Sequence, residues 1–200
     1  MHAPAVVCPG PWPAASSRVS GDFGGAAKVV NTIAKTVLPL HHRRIKTTIR
    51  TARTRETTII AKFNAQLAWE TENRRLPIGR VTAGVKALLA DPAKGTYYVA
   101  EVEGTIAGQL LITYEWSDWR NGNFWWIQSV YVAKPFRGQG IFRELFEHVR
   151  SLARKRKNIC GLRLYMDAHN ATARQAYERL GLKHTEYEVF EMDFVMKSHA

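Results

Sequence analysis

The chain has 200 residues, 46% of them hydrophobic, enough for one well-buried core rather than a string of domains. No apolar run approaches the roughly 20 residues that span a bilayer, and the amino terminus lacks an apolar stretch with a small-residue cleavage site, so a soluble, cytoplasmic protein is expected. Two cysteines, Cys8 and Cys160, exclude a disulfide framework, and with seven scattered histidines they point to no metal.

The formal charge of +12 raises nucleic acid as a partner. Residues 1 to 44 hold five Lys/Arg and one Asp, which leaves +8 on the remainder. The densest cluster, Arg154-Lys155-Arg156-Lys157, falls at the end of an expected helix, where cations meet exposed carbonyls, so capping accounts for it.

In chain order, residues 1 to 44 are rich in Ala, Pro, Gly, Ser and Val, and the Pro-Gly-Pro-Trp-Pro run at 9 to 13 admits no regular element. A mobile basic tail is expected there, with a targeting segment as the competing reading, ahead of one domain over 45–200. Lys46 to Ala52 has the β-branched character of a strand. Ile59, Ile60, Phe63, Leu67 and Ala68 recur at helical spacing and predict a helix from Glu56 to Trp69, ended by Glu70 and Glu72. Val81 to Leu89 is a shorter helix stopped by Asp91-Pro92.

The period then changes to two. Thr96 to Val102 and Thr105 to Tyr114 are strands of a hairpin turned at Glu103-Gly104, and the polar loop Ser117 to Asn123 leads into a strand from Phe124 to Val132. A Gly-rich turn follows, and apolar residues at Ile141, Phe142, Leu145, Phe146, Val149 and Leu152 predict an amphipathic helix. Gly161 to Met166 is a strand, Ala171 to Leu180 a helix closed by Gly181, and Lys183 to Phe194 a final strand or strand pair.

Where a glycine loop opens a helix, free backbone N–H groups and the positive end of the dipole converge on one point, which suits a phosphate. Gly138 and Gly140 let the backbone approach an anion, and Arg137 and Arg143 add charge at the rim. The loop lacks the Gly-Lys-Ser/Thr ending of a P-loop and is not a dinucleotide-binding G-x-G-x-x-G.

The run Val130-Tyr131-Val132, Pro135, Arg137-Gly138-Gln139-Gly140-Ile141-Phe142 resembles the acyl-CoA-binding segment of the GNAT superfamily of N-acyltransferases, Gln/Arg-x-x-Gly-x-Gly/Ala after an apolar-x-Val strand. Phe142 departs from the last Gly/Ala, which the resemblance tolerates, since only its N–H would face the phosphates with its side chain turned toward the sheet. Asn170 through Tyr177 to Gly181 resembles the second diagnostic segment of that family, although Asn170 is also a good N-cap and Tyr177 fits an apolar stripe.

The resemblance implies an α/β GNAT fold, a central mixed, mostly antiparallel twisted sheet of six to seven strands flanked by about four helices, with acetyl-CoA as cofactor. It implies that the 137–143 loop holds the diphosphate, that Val130 and Val132 pair with the pantetheine amides, that Val130 N–H polarises the acetyl carbonyl, and that Asn170 contacts the pantetheine arm. Tyr177 would be the general acid for the departing thiolate.

Many relatives carry an acid on the fourth strand, where this chain has Gln128-Ser129. Glu70, Glu72, Glu115 and Asp118 lie on segments bordering the acceptor cleft in this fold, and Glu70 and Glu115 are the preferred bases. Trp116 and Trp119 could line the acceptor pocket beside Gln128 or fill a homodimer interface. A weaker similarity to diamine and polyamine acetyltransferases rests on Leu67-Ala-Trp-Glu70 and Thr113-Tyr-Glu-Trp116. The expected acceptor is a small-molecule primary amine. The rival from another class is a nucleic-acid-associated basic protein with a CoA-binding or inactive domain, which would bind DNA or RNA with a steep salt dependence.

Overall fold

Five strands and four helices make up the regular structure of residues 46–196, the part of the chain that this computed structural model describes. The expected tail over 1–44 lies outside the described residues. β1 (Thr47–Thr51), β2 (Thr96–Val102), β3 (Thr105–Ser117), β4 (Gly122–Val132) and β5 (Ile159–Leu164) form one sheet in sequence order, antiparallel throughout except for the parallel β4–β5 pair. α1 (Thr57–Glu72) and α2 (Ile78–Ala90) precede β2; α3 (Ile141–Arg154) joins β4 to β5, and α4 (Ala171–Arg179) follows β5.

Strand alternation divides the core between the two faces of the sheet. Tyr98, Ala100, Leu110, Ile112, Trp125, Ile127, Val130 and Val132 meet α3 and α4, whose stripe is Ile141, Phe142, Leu145, Phe146, Val149, Ala173, Tyr177 and Leu180. The other face packs Tyr97, Val99 and Leu111 against Ile60, Ala61 and Val85, and Tyr131 against Phe63 and Leu67. Trp125 and Trp126 therefore part company: the first is core, the second lies half-buried on the α1 face.

Several boundaries differ from expectation for local reasons. Glu70 and Glu72 lie inside α1, which ends where Asn73 turns left-handed (φ +50) and its N–H meets the Trp69 carbonyl. α2 starts at Ile78, directly after Pro77 sets the chain direction. β3 runs on to Ser117 because β4 pairs with it as far as Ser117↔Gly122, and β5 starts at Ile159 because it pairs with Asn123.

Among the described residues the strand count is a correction, five rather than six to seven, because Lys183 to Phe194 forms no strand. Its apolar residues switch parity, Tyr187 and Val189 on one set of alternate positions and Phe190, Met192 and Phe194 on the other. Such a segment offers no single apolar face to the sheet.

Arg50 fastens β1, an edge strand, to its surroundings. Its guanidinium donates to Glu56 (Nη2 to Oε1, 2.6 Å) and to Glu101 (Nη2 to Oε2, 2.6 Å), while Arg53 N–H donates to Glu56 Oε2 at 2.7 Å. Burial pushes the Glu56 carboxyl up, but the Arg50 hydrogen bonds, the Arg53 N–H and the arginine charges outweigh it and hold the group below the ordinary range. A depressed carboxylate stabilises the fold above its unfolded pKa and ceases to do so as pH falls through its folded value. Glu56→Gln is expected to lower unfolding free energy by about 2 kcal/mol at neutral pH. Urea titrations at descending pH should show the gap from wild type closing as Glu56 itself becomes protonated.

Candidate active site

The turn after β4 is built by proline and two glycines. A single 3-10 turn over Lys134–Phe136 reverses the chain, Gly138 and Gly140 adopt φ +76 and +83, and α3 begins. A Cβ at either glycine would meet nothing within 4 Å, so backbone conformation, not space, calls for glycine. Gly140 caps α3 with no side-chain hydrogen bond, so the first-turn amides of Ile141 and Phe142 are left to the loop mouth. The Phe142 ring is turned inward, edge-on to Tyr177 with centroids 5.9 Å apart. Uncapped amides, a helix dipole and arginines at 137 and 143 fit a diphosphate.

A second feature prepares β4. Its pairing with β5 runs from Asn123↔Ile159 to Ile127↔Leu164, and Gln128 to Val132 continue beyond the end of β5. Across β3 the register changes: Gln109 opposes Tyr131 and Leu111 opposes Gln128, so Leu110 alone faces both Ser129 and Val130. This is a bulge, and Ser129 within it takes φ +47, a conformation that costs a non-glycine residue on the order of 1–3 kcal/mol. The extra residue shifts the parity of the strand, placing Val130 and Val132 toward α3 and Tyr131 toward α1.

The structure brings together Glu70, Tyr131, Lys134 and Arg137. Arg137 donates to the Val132 carbonyl (Nε, 2.8 Å) and to Glu70 Oε2 (Nη2, 2.7 Å); the Tyr131 hydroxyl donates to Glu70 Oε1 at 3.0 Å, and Lys134 Nζ stands 3.7 Å from that oxygen. Burial pushes Glu70 upward, yet the bonds from Arg137 and Tyr131 and the charges of Arg137 and Lys134 hold it below the usual carboxylate range. Burial first and the Glu70 carboxylate second push the Tyr131 phenol up to about 12.

Glu115 belongs to a different group on the part of the sheet that α1 and α2 leave open. It accepts from Trp126 Nε1 and from Arg163 Nη1 (2.7 Å); the Arg163 guanidinium lies 3.7 Å from the Phe124 ring centre, and Trp126 stacks on Tyr165 at 4.3 Å. Glu115 stands five residues along β3 from Leu110, roughly 16 Å at strand rise. Between them Gln128 donates to Thr113 Oγ1 at 2.7 Å. Trp116 and Trp119 are exposed, and Asp118 accepts from the Trp119 amide. Glu72 lies in the last turn of α1. Asn170 caps α4, accepting from Ala173 N–H at 2.9 Å, and Tyr177 is buried against the core.

Gln109, Asn64, Tyr97, Arg163 and Tyr165 were not among the expected site residues. Gln109 carried a legible signal, a lone amide inside the apolar run Ala107-Gly108-Gln109-Leu110-Leu111-Ile112. A groove lies toward the far end of α3, lined by Arg150, Arg154, Cys160 and Leu182, away from the glycine loop. Among the described residues no group of three His, Cys, Asp or Glu could hold a metal ion, and no helix is long and apolar enough to cross a membrane.

Residues 60–182 match the model of the Acetyltransferase (GNAT) family. Among solved structures the chain is similar to a possible acetyltransferase from Clostridium difficile 630, with 46% identity, a TM-score of 0.71 and coverage of 75% of this chain and 99% of that one. It also resembles in fold a predicted acetyltransferase from Clostridium acetobutylicum solved with acetyl-CoA (18% identity, TM-score 0.61, 74% and 96% covered). A ribosomal-protein-alanine N-acetyltransferase from Brucella melitensis biovar Abortus 2308 is a third (19%, 0.61, 75% and 100%). No curated protein sequence matches the chain.

The Glu70 cluster makes a spectroscopic prediction. In Glu70→Gln the Tyr131 phenol loses its carboxylate neighbour but keeps its burial, so its pKa should fall from about 12 toward 10 without reaching it. Alkaline titration of tyrosinate absorbance, with Tyr131→Phe to assign the step, reads the change.

Proposed function

Because the chain belongs to the GNAT acetyltransferase family, we propose that it transfers the acetyl group of acetyl-CoA to the primary amine of a small molecule by direct attack. The observation that carries this is the pairing of the left-handed Gly138/Gly140 turn at the start of α3 with a bulged β4 that runs on beyond β5. Bound there, the thioester supplies an activated acyl carbon and a thiol leaving group.

Each residue then has a task. The first-turn amides of α3, with the Gly138-Gln139-Gly140 backbone, hold the diphosphate, and Arg143 adds charge. Backbone groups of Val130 and Val132, on the stretch of β4 past Leu164, pair with the pantetheine amides, and Val130 N–H faces the carbonyl where negative charge develops. Asn170 fixes the start of α4, and Tyr177 on that helix gives its phenolic proton to the departing sulfur.

For the acceptor, distance favours Glu70 over Glu115. Tyr131 follows Val130 directly, and its hydroxyl touches Glu70, whereas Glu115 is some five residues away along the sheet. With its pKa held low, Glu70 is a weak base that stays ionised, and it serves to take the acceptor's proton through water. Such a base suffices because the nitrogen becomes strongly acidic as it bonds to the acyl carbon. Gln128, Glu72 and the aromatic segment from Trp116 to Asp118 border the acceptor side.

Acetyl-CoA is expected to raise the melting temperature, corresponding to about 2.7 kcal/mol at a hundredfold excess over Kd. Gly140→Glu should abolish that rise, and Gln139→Glu, which leaves the glycine conformations intact, should weaken it. No ligand-induced rise in the wild type would end the proposal. Tyr177→Phe should keep the rise while slowing free-thiol release with the best amine of a panel by about 100-fold; unchanged turnover would remove the general-acid role.

A further inference from the structure

The bulge in β4 is held from behind by a buried polar chain. Gln109 is fully buried on β3, and its Nε2 donates both to the Ser129 carbonyl (3.2 Å) and to Asn64 Oδ1 on α1 (2.6 Å). Asn64 Nδ2 donates in turn to the Tyr97 hydroxyl on β2 at 2.9 Å. Three elements, α1, β2 and β3, thus converge on the single residue whose φ of +47 makes the bulge.

Gln109 is a poor choice for stability alone. Its Oε1 is buried with no hydrogen-bond partner among the described residues, a cost that an apolar side chain of the same length would not carry. What the amide accomplishes is directional: it pulls the Ser129 carbonyl toward α1, and because the Val130 N–H belongs to the same trans peptide and points the opposite way, it turns that N–H toward the other side of the strand.

The geometry points to Gln109, braced by Asn64 and Tyr97, as a positioning residue that aims the Val130 amide at the thioester carbonyl. This rests on the acetyl-CoA reading above and adds to it the source of the alignment. Holding a donor where charge develops is worth most when the donor cannot rotate away, and a bulge pinned on its far side by a side-chain amide meets that need. The strained Ser129 conformation is kept because the surrounding bonds leave it no alternative.

The test uses the full chain, acetyl-CoA carrying 13C at the carbonyl, and the variants Gln109→Met, Asn64→Leu and Asn64→Asp. In the wild type the bound carbonyl resonance should move downfield from its position in free acetyl-CoA as the Val130 N–H polarises it. Gln109→Met sheds the stranded acceptor but takes the donor from the Ser129 carbonyl and Asn64 Oδ1, so it should melt somewhat below the wild type while still folding and binding acetyl-CoA. It should nevertheless lose most of the downfield shift, and its kcat should fall about 10-fold with KM for acetyl-CoA little changed. Asn64→Leu should behave alike, and Asn64→Asp, which keeps an acceptor for Gln109 and one for the Tyr97 hydroxyl, should restore the shift.

A wild-type protein that binds acetyl-CoA with no downfield movement refutes the Val130 reading itself. A wild-type shift that survives intact in Gln109→Met overturns the positioning role alone. If Gln109→Met and Asn64→Leu both unfold, or both lose stability while keeping the shift, these residues are structural and the inference falls.

Discussion

One extra residue in β4 sets the terms for everything around it. A regular strand from Phe124 to Val132 would keep Ile127, Ser129 and Tyr131 on one face; the bulge instead delivers Ile127, Val130 and Val132 to α3 and sends Tyr131 to α1. The core of both faces depends on that exchange of parity. Val130 and Val132 fill space beneath Ile141 and Phe142, and the Tyr131 ring packs at 5.0 Å from Phe63. Restoring regular alternation would bury the Ser129 hydroxyl among aliphatic residues and turn a valine toward α1, so core packing and the strained φ sustain each other.

The same parity shift links the two ends of the site. Because Tyr131 faces α1, its hydroxyl reaches Glu70 in the last turns of that helix, and Glu70 in turn holds Arg137 at the start of the glycine turn. Arg137 also bonds the Val132 carbonyl, the final residue of β4. A continuous set of bonds therefore runs from the glycine turn through Arg137 and Glu70 to the bulge. Helix α3 is aimed by this set as well as by its own apolar stripe, since its first turn starts four residues after Arg137.

Much of this was legible in the sequence, and the exceptions have physical causes. The period-two and period-3.6 runs located the five strands and four helices of the described residues, because one apolar face per element is what burial demands of the chain. The glycine turn was legible for a chemical reason: φ values of +76 and +83 leave few residue types to choose from. What could not be read was pairing. Glu70 was legible as an acid near the end of a helix, but its bond to Arg137 joins residues 67 positions apart, and nothing local encodes it. Ser129 was harder, since serine is ordinary in a strand and only the register across β3 shows it to be supernumerary. The expected strands over Lys183 to Phe194 had β-forming residues without a consistent face, and side chains such as Phe190, 90% exposed, show that composition alone did not make a strand.

The charge of the domain also acquires a local meaning. An overall +8 outside residues 1–44 would repel a polycationic acceptor at long range, yet the acids nearest the cleft are not an undirected counterweight. Glu70 is matched to Arg137 and Lys134, and Glu115 to Arg163, so each carboxylate is already largely neutralised by a cation of the protein. On the proposed function, an amine would gain little from unshielded attraction. It would have to be recognised at close range by the Trp126–Tyr165 stack, the Gln128 amide and the acceptor sites that remain on each paired carboxylate. That favours an acceptor with a flat or apolar body carrying one amine over an extended polyamine, since a second ammonium would find arginine where it needs a carboxylate.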